Sequence, residues 1–199
     1  MNIAYVTLTR FPTEKAHGHQ IARVCSAMKH LKHTVTLVSP NIFTDVRQDS
    51  RKYYHLKTDL HVQKLPIFDA LSSPFVPGVL AFHFTMHSYR KALKTYFTSH
   101  NFDIAYVRSP AILPAVLAAK VPVVLELHSL PKRNQKAFVS RCNQCKKVVC
   151  LTSPMAKELV KLGVKKSKII IEGDAVDLER FAKMPSAKSA RHHFGLPDD

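Results

Sequence analysis

The chain has 199 residues, enough for one α/β domain with a full core and too few for two of ordinary size. Hydrophobic residues make up 46% of it and no long low-complexity run occurs, which excludes a disordered chain and favours a folded, soluble one. Thirty Lys and Arg against fourteen Asp and Glu leave a formal charge of +16, with twelve histidines able to add to it below neutral pH, so the surface attracts anions such as lipid headgroups, phosphates, acidic polysaccharide or nucleic acid.

Met1 leads directly into a strand-like run, Ile3 to Leu8, without the basic and apolar regions of an export signal. No apolar stretch reaches the roughly 18 residues of a membrane span. The expected location is the cytoplasm, with peripheral attachment to the inner face of the membrane open to so basic a surface. Ile21, Val24, Cys25, Met28 and Leu31 then recur at helical spacing, and Val35 to Val38 reads as a second strand closed by Pro40. Asn41 to Asp59 is a polar connection with room for one short helix, and Val62 to Pro66 is a third strand. After Pro77-Gly78 a helix carries Phe82, Met86, Tyr89, Leu93 and Phe97 as an apolar stripe, with Arg90, Lys91 and Lys94 on its other faces.

Ile104 to Val107 is a fourth strand, followed by Ser109-Pro110 as a helix-start signal. Val121 to Leu127 is the next strand, and a basic helical segment from Lys132 to Lys146 leads into the strand Val148 to Leu151. Ser153-Pro154 repeats the start signal, Gly163 supplies the stop, and Ile169 to Ile171 is the last strand, before a short terminal helix over Ser186 to Phe194. Short apolar runs alternating with helices predict a single Rossmann-like α/β domain, a mostly parallel sheet with helices on both faces. The domain is expected to span 1–181, with 182–199 as a linker toward a second domain.

Several residue patterns bear on chemistry. Gly18 and His19 stand where the first strand passes into a helix, so the amides there are placed to face an anion. All five glycines are isolated, which removes both G-x-G-x-x-G and a P-loop. Glu126 and His128 alternate at the carboxyl end of a strand and so share a face, where open α/β sheets bind ligands. Arg108 leaves the neighbouring strand and is suited either to a forked contact with a phosphate or carboxylate or to an ion pair with Glu126. Cys142 and Cys145 form C-x-x-C without further metal ligands, and read as incidental thiols in a reducing compartment. No D-x-D occurs, so a metal-held donor phosphate has no candidate, and neither a metal nor a cofactor is implied.

The opening strand-loop-helix-strand from Asn2 to Ser39, then Asp103-Ile-Ala-Tyr106-Val-Arg108, Val123-Val-Leu-Glu126-Leu-His128 and Val176-Asp177-Leu178-Glu179-Arg180-Phe181, in that order, resemble the amino-terminal domain of retaining family 4 glycosyltransferases, which pair two Rossmann-like domains, although Gly18-His19 stands where that family often has paired glycines. The resemblance implies the acceptor-binding half of a retaining, metal-independent hexosyl transferase. It places His128 near the reacting sugar as the catalytic residue, with Gly18, His19, Arg108 and Glu126 binding substrate. The E-x₇-E phrase of that family's donor-binding domain is missing, since no two glutamates lie eight apart. A nucleotide-sugar donor would therefore be held mainly by a second domain or a separate donor-binding subunit, and this chain alone is expected to be inactive. The implied partner on this side is a glycan or lipid-linked acceptor.

Arg90, Lys91 and Lys94, together with Lys132, Arg133 and Lys136, form the expected surface for an anionic membrane or other anion. The alternative is a basic α/β binding module that docks on anionic membrane or nucleic acid without a transferase partner. An epimerase built from two similar domains is a competing enzyme class.

Overall fold

The computed structural model describes residues 1–72, 75–176, 178, 182 and 184–197. Seven strands form one parallel sheet: β1 (Asn2–Val6), β2 (Thr34–Pro40), β3 (His61–Leu65), β4 (Ile104–Val107), β5 (Val123–Leu127), β6 (Lys147–Cys150) and β7 (Ile169–Ile171), in the spatial order β3-β2-β1-β4-β5-β6-β7. The helices are α1 (Ala16–His30), α2 (Ser50–Tyr53), α3 (Gly78–Ser99), α4 (Leu113–Leu117), α5 (Gln135–Gln144), α6 (Ser153–Leu162) and α7 (Ala187–His193). The chain starts mid-sheet, winds outward to β3, crosses back through α3 and winds outward again to β7. The strand order therefore reverses at β1 and β4, the kind of switch point where such sheets open a crevice at their carboxyl edge.

Alternation along β1 divides the interior into two layers. Ile3 and Tyr5 pack with Ile21, Cys25, Leu37 and Tyr54 on the α1 side. Ala4 and Val6 face the other way, toward Met86, Tyr89 and Leu93 of α3 and the apolar residues of α4 to α6. Both faces are covered, as a parallel sheet requires.

The structure moves several expected boundaries. Phe82 is 43% exposed although helical geometry sets it within about 20° of Tyr89, and Ala81 and Thr85 are the buried residues of the first turns instead, so the packed part of the stripe begins after Phe82. Leu31 follows α1 and is 69% exposed. Ser109 opens a turn, its hydroxyl accepting from the Ala111 amide at 3.3 Å, and α4 starts only at Leu113. At α6 the cap is Thr152, whose hydroxyl accepts from the Met155 amide at 3.3 Å, so Ser153 is already helical. Strand β5 begins after Pro122, which has no amide to give the ladder. The stop at Gly163 is as expected, at φ +106.

Of the segment Val176 to Phe181, positions 177 and 179–181 lie outside the described residues, as do the last two positions of the expected linker. No helix among the described residues is long and apolar enough to cross a membrane.

Candidate functional site

Val107 of β4 pairs with Leu125 of β5, so Arg108 and Glu126 stand level at the carboxyl edge of the sheet. Two-residue alternation puts Tyr106, Arg108, Glu126 and His128 on the α1 face. Arg108 Nε lies 3.6 Å from Glu126 Oε1, with the two side chains only 9% and 6% exposed. His128 Nε2 touches the same carboxylate oxygen and stands 3.1 Å from Arg108 Nε.

One ring nitrogen cannot both accept a proton from Arg108 and donate one to Glu126. We assign the proton to His128 Nε2, donated to the carboxylate, since two unprotonated acceptors in contact would repel while a charged acceptor strengthens the bond. Arg108 Nε then faces Glu126 as an ion pair. Nδ1 is the His128 atom left for a ligand, as nothing among the described residues bonds to it.

Arg108 also ties the site to α1. Its Nη1 donates to the His17 carbonyl at 3.2 Å and its Nη2 to Gln20 Oε1. The Gln20 amide nitrogen in turn donates to the Asp174 carboxylate, beyond β7. A chain of contacts thus joins β4, β5, α1 and the segment after β7, through Gln20 and Asp174, to which sequence reasoning assigned no site role. Their separation along the chain gives no local signal.

Beneath the cluster lies a buried polar layer. Tyr5 and Tyr106, directly paired across β1 and β4, stack with ring centroids 5.1 Å apart. Burial, and next the Glu126 carboxylate, push both hydroxyls and the Cys25 thiol up from their ordinary pKa values. The Tyr5 hydroxyl is buried with no partner among the described residues. Burial, reinforced by the Arg108 charge, holds the His17 imidazole below its ordinary value. Asp103 lies at the opposite end of β4 and accepts from the Asn2 amide at 2.7 Å, so it anchors the sheet and takes no part in the cluster.

The Gly18 amide donates to the Lys15 carbonyl at 2.8 Å. Packing accounts for the glycine: a Cβ there would come within 2.5 Å of the Tyr54 hydroxyl and 2.6 Å of Thr13 Cγ2. Tyr54 locks this loop, accepting from the Thr13 amide at 2.7 Å and donating to its carbonyl at 2.8 Å. The His19 ring packs against the same tyrosine, edge-on at 4.9 Å between centroids. An open cavity of about 480 Å³ lined by Glu14, Asp45, Val46, Arg47, Gln48 and Tyr53 adjoins this loop and includes none of Arg108, Glu126 and His128.

The basic residues separate into two kinds. Lys91, Lys94, Lys132, Arg133 and Lys136 are exposed. Arg90, expected on that surface, is partly buried and its Nε and Nη2 both donate to the Ala111 carbonyl, at 2.9 and 2.6 Å, which clamps α3 to the turn before α4. Cys142 and Cys145 are buried free thiols, raised by desolvation to about 12 and about 11.

The sequence profile of Glycosyltransferase Family 4 matches residues 18–180. No curated protein matches the chain. Among solved structures, HepE of Anabaena in complex with UDP and glucose is similar at a TM-score of 0.63 and 15% identity, covering 98% of this chain and 50% of that one. Sucrose-phosphate synthase from Thermosynechococcus elongatus is similar at 0.65 and 15% identity, covering 100% and 53%. UDP-GlcNAc 2-epimerase from Neisseria meningitidis, bound to UDP-GlcNAc, is similar at 0.67 and 16% identity, covering 100% and 56%. The chain spans about half the length of these structures, and at such identities the likeness establishes the fold, which transferases and epimerases share.

Proposed function

The chain belongs to glycosyltransferase family 4, and on that premise we propose that it is the acceptor-binding half of a retaining, metal-independent transferase that uses a nucleotide-sugar. The observation that carries the proposal is the Arg108–Glu126–His128 cluster at the carboxyl edge of β4 and β5, beside the switch point of the sheet. Glu126 fixes the ring of His128 and leaves Nδ1 to meet a hydroxyl or phosphate of the reacting sugar or acceptor. Arg108 pairs with Glu126 and holds α1 at the rim.

The donor would sit mainly on a second domain, carried by the same polypeptide or by a separate subunit, and transfer would occur when the two close, excluding water and aligning the reactants. The UDP and glucose bound to HepE and the UDP-GlcNAc bound to the epimerase support a nucleotide-sugar as the donor class. Gly18 and His19 would shape the wall of the acceptor crevice through the Tyr54 packing. Exposed Lys91, Lys94, Lys132, Arg133 and Lys136 would draw in an anionic, glycan or lipid-linked acceptor at the cytoplasmic membrane face. Family membership favours this transferase over a binding module of another class.

The test is transfer from a panel of nucleotide-sugars by this chain alone and joined to a donor-binding domain. Transfer only by the joined form, with the anomeric configuration of the donor kept in the product and activity unchanged by EDTA, is the expected result. Robust transfer by residues 1–199 alone would overturn the division of labour.

A further inference from the structure

The first turns of α3 expose apolar side chains that the acceptor crevice does not use. Val79 is 73% exposed, Leu80 52% and Phe84 54%, and the preceding connection adds Phe68 at 65%. At about 100° per residue, Leu80, His83, Phe84, Lys91 and Lys94 share one outward arc opposite Tyr89 and Leu93, and Val79, in the first turn, stands exposed at the margin of the face that carries Met86. The arc changes along the helix from apolar to histidine to lysine. No Asp or Glu occurs between Ala70 and Phe102.

We propose that this arc docks on an anionic lipid bilayer, with Val79, Leu80 and Phe84 entering the boundary between headgroups and acyl chains and Lys91 and Lys94 resting on the phosphates. Charge and shape together select the occupant. A second copy of this chain would bring two surfaces of the same strong positive charge together. Nucleic acid would satisfy the lysines but gains no stacking from Val79 and Leu80. An anionic bilayer offers negative charge and an apolar interior side by side.

The fold sets the orientation. Strand β3 delivers the chain to the carboxyl edge of the sheet, and α3 starts there and runs back toward the amino end of β4. The apolar turns therefore lie on the same edge as Arg108, Glu126 and His128. That the bilayer presents an acceptor to this edge rests on the transferase proposal, whereas docking itself stands on the surface of α3.

The chain contains no tryptophan, so Leu80→Trp introduces a single reporter. On vesicles of phosphatidylcholine with phosphatidylglycerol its emission should shift to the blue and be quenched by brominated acyl chains. Val160→Trp, at an exposed site on α6, should not respond. Cosedimentation with these vesicles should fall by about tenfold or more in Val79→Ser/Leu80→Ser/Phe84→Ser, whose changes are all at exposed positions. Lys91→Gln/Lys94→Gln should lose mainly the salt-sensitive part of the binding.

Absence of the shift on anionic vesicles would overturn the proposal. So would a shift that grows with protein concentration without lipid, which marks a second copy, or one produced equally by an oligonucleotide. None of these measurements needs a sugar donor, so failed docking and failed transfer are separate outcomes.

Discussion

The Arg108 guanidinium and the Glu126 carboxylate meet at 3.6 Å where two adjacent strands end, with 9% and 6% of their side chains exposed. Each charge is tolerated there because the other is present. Glu126→Ala leaves the guanidinium buried opposite no anion, and breaking such a pair costs about 3–5 kcal/mol. Urea denaturation should register that loss, and the double change Glu126→Leu/Arg108→Met should cost less than Glu126→Ala alone, because no buried charge is left uncompensated.

His128 is half-buried and makes its contacts through one nitrogen, so its truncation should separate activity from folding. In the chain joined to a donor-binding domain, His128→Ala should reduce kcat/KM by roughly a hundredfold, the scale of losing one well-placed polar contact to the reacting centre. Its loss of stability should be well below that of Glu126→Ala. Full activity with a lowered melting temperature would mark His128 as a structural residue.

Gly18 has no room for a methyl group. A Cβ would stand 2.5 Å from the Tyr54 hydroxyl and 2.9 Å from the Thr13 carbonyl oxygen, so Gly18→Ala should destabilise the domain by about 1–3 kcal/mol. Tyr54→Phe should not rescue it, since Thr13 crowds the same position through its backbone. Thermal denaturation of the single and double variants decides this.

His17 makes stability depend on pH in a defined direction. Burial and the Arg108 charge lower its pKa in the folded state, so the unfolded chain takes up the proton first. Stability should fall as pH drops through about 6.5 and level off below the folded value. The other histidines contribute to the raw profile, so the measurement is the difference between the chain and His17→Gln in melting temperature from pH 7.5 to 5.0. That difference should narrow toward low pH as the wild-type chain loses stability.

Buried thiols raised to about 12 at Cys142 and about 11 at Cys145 hold little thiolate at neutral pH. Labelling by iodoacetamide at pH 8 should be slow in the native protein and rapid in urea. Fast native labelling would contradict their placement in the core.

Local pattern carried the strand and helix order a long way. The alternation of β1, the isolated Gly163 and the Glu126–His128 spacing each encode a backbone state or a face within a few residues, which the chain expresses regardless of its distant neighbours. What failed to read locally depended on distant partners. Ser109 had the chemistry of a helix cap and became a turn. Phe82 matched a stripe whose true edge is set by what α3 packs against. Arg90 resembled any surface cation until the Ala111 carbonyl came within reach.

The sequence by itself determined that Glu126 and His128 share one face at the end of β5, because two-residue periodicity leaves no other arrangement, whereas Arg108 joins that face through the pairing of β4 with β5. Only the tertiary structure decided that these three touch, that Gln20 and Asp174 extend the contacts, and that Gly18 is a packing requirement. The physical reason is separation: Arg108 and Gln20 are 88 positions apart, and Gln20 and Asp174 are 154 apart. Distance and burial between such residues are set by the register of the open sheet and the placement of α1 across it, quantities that exist only once the whole domain has folded.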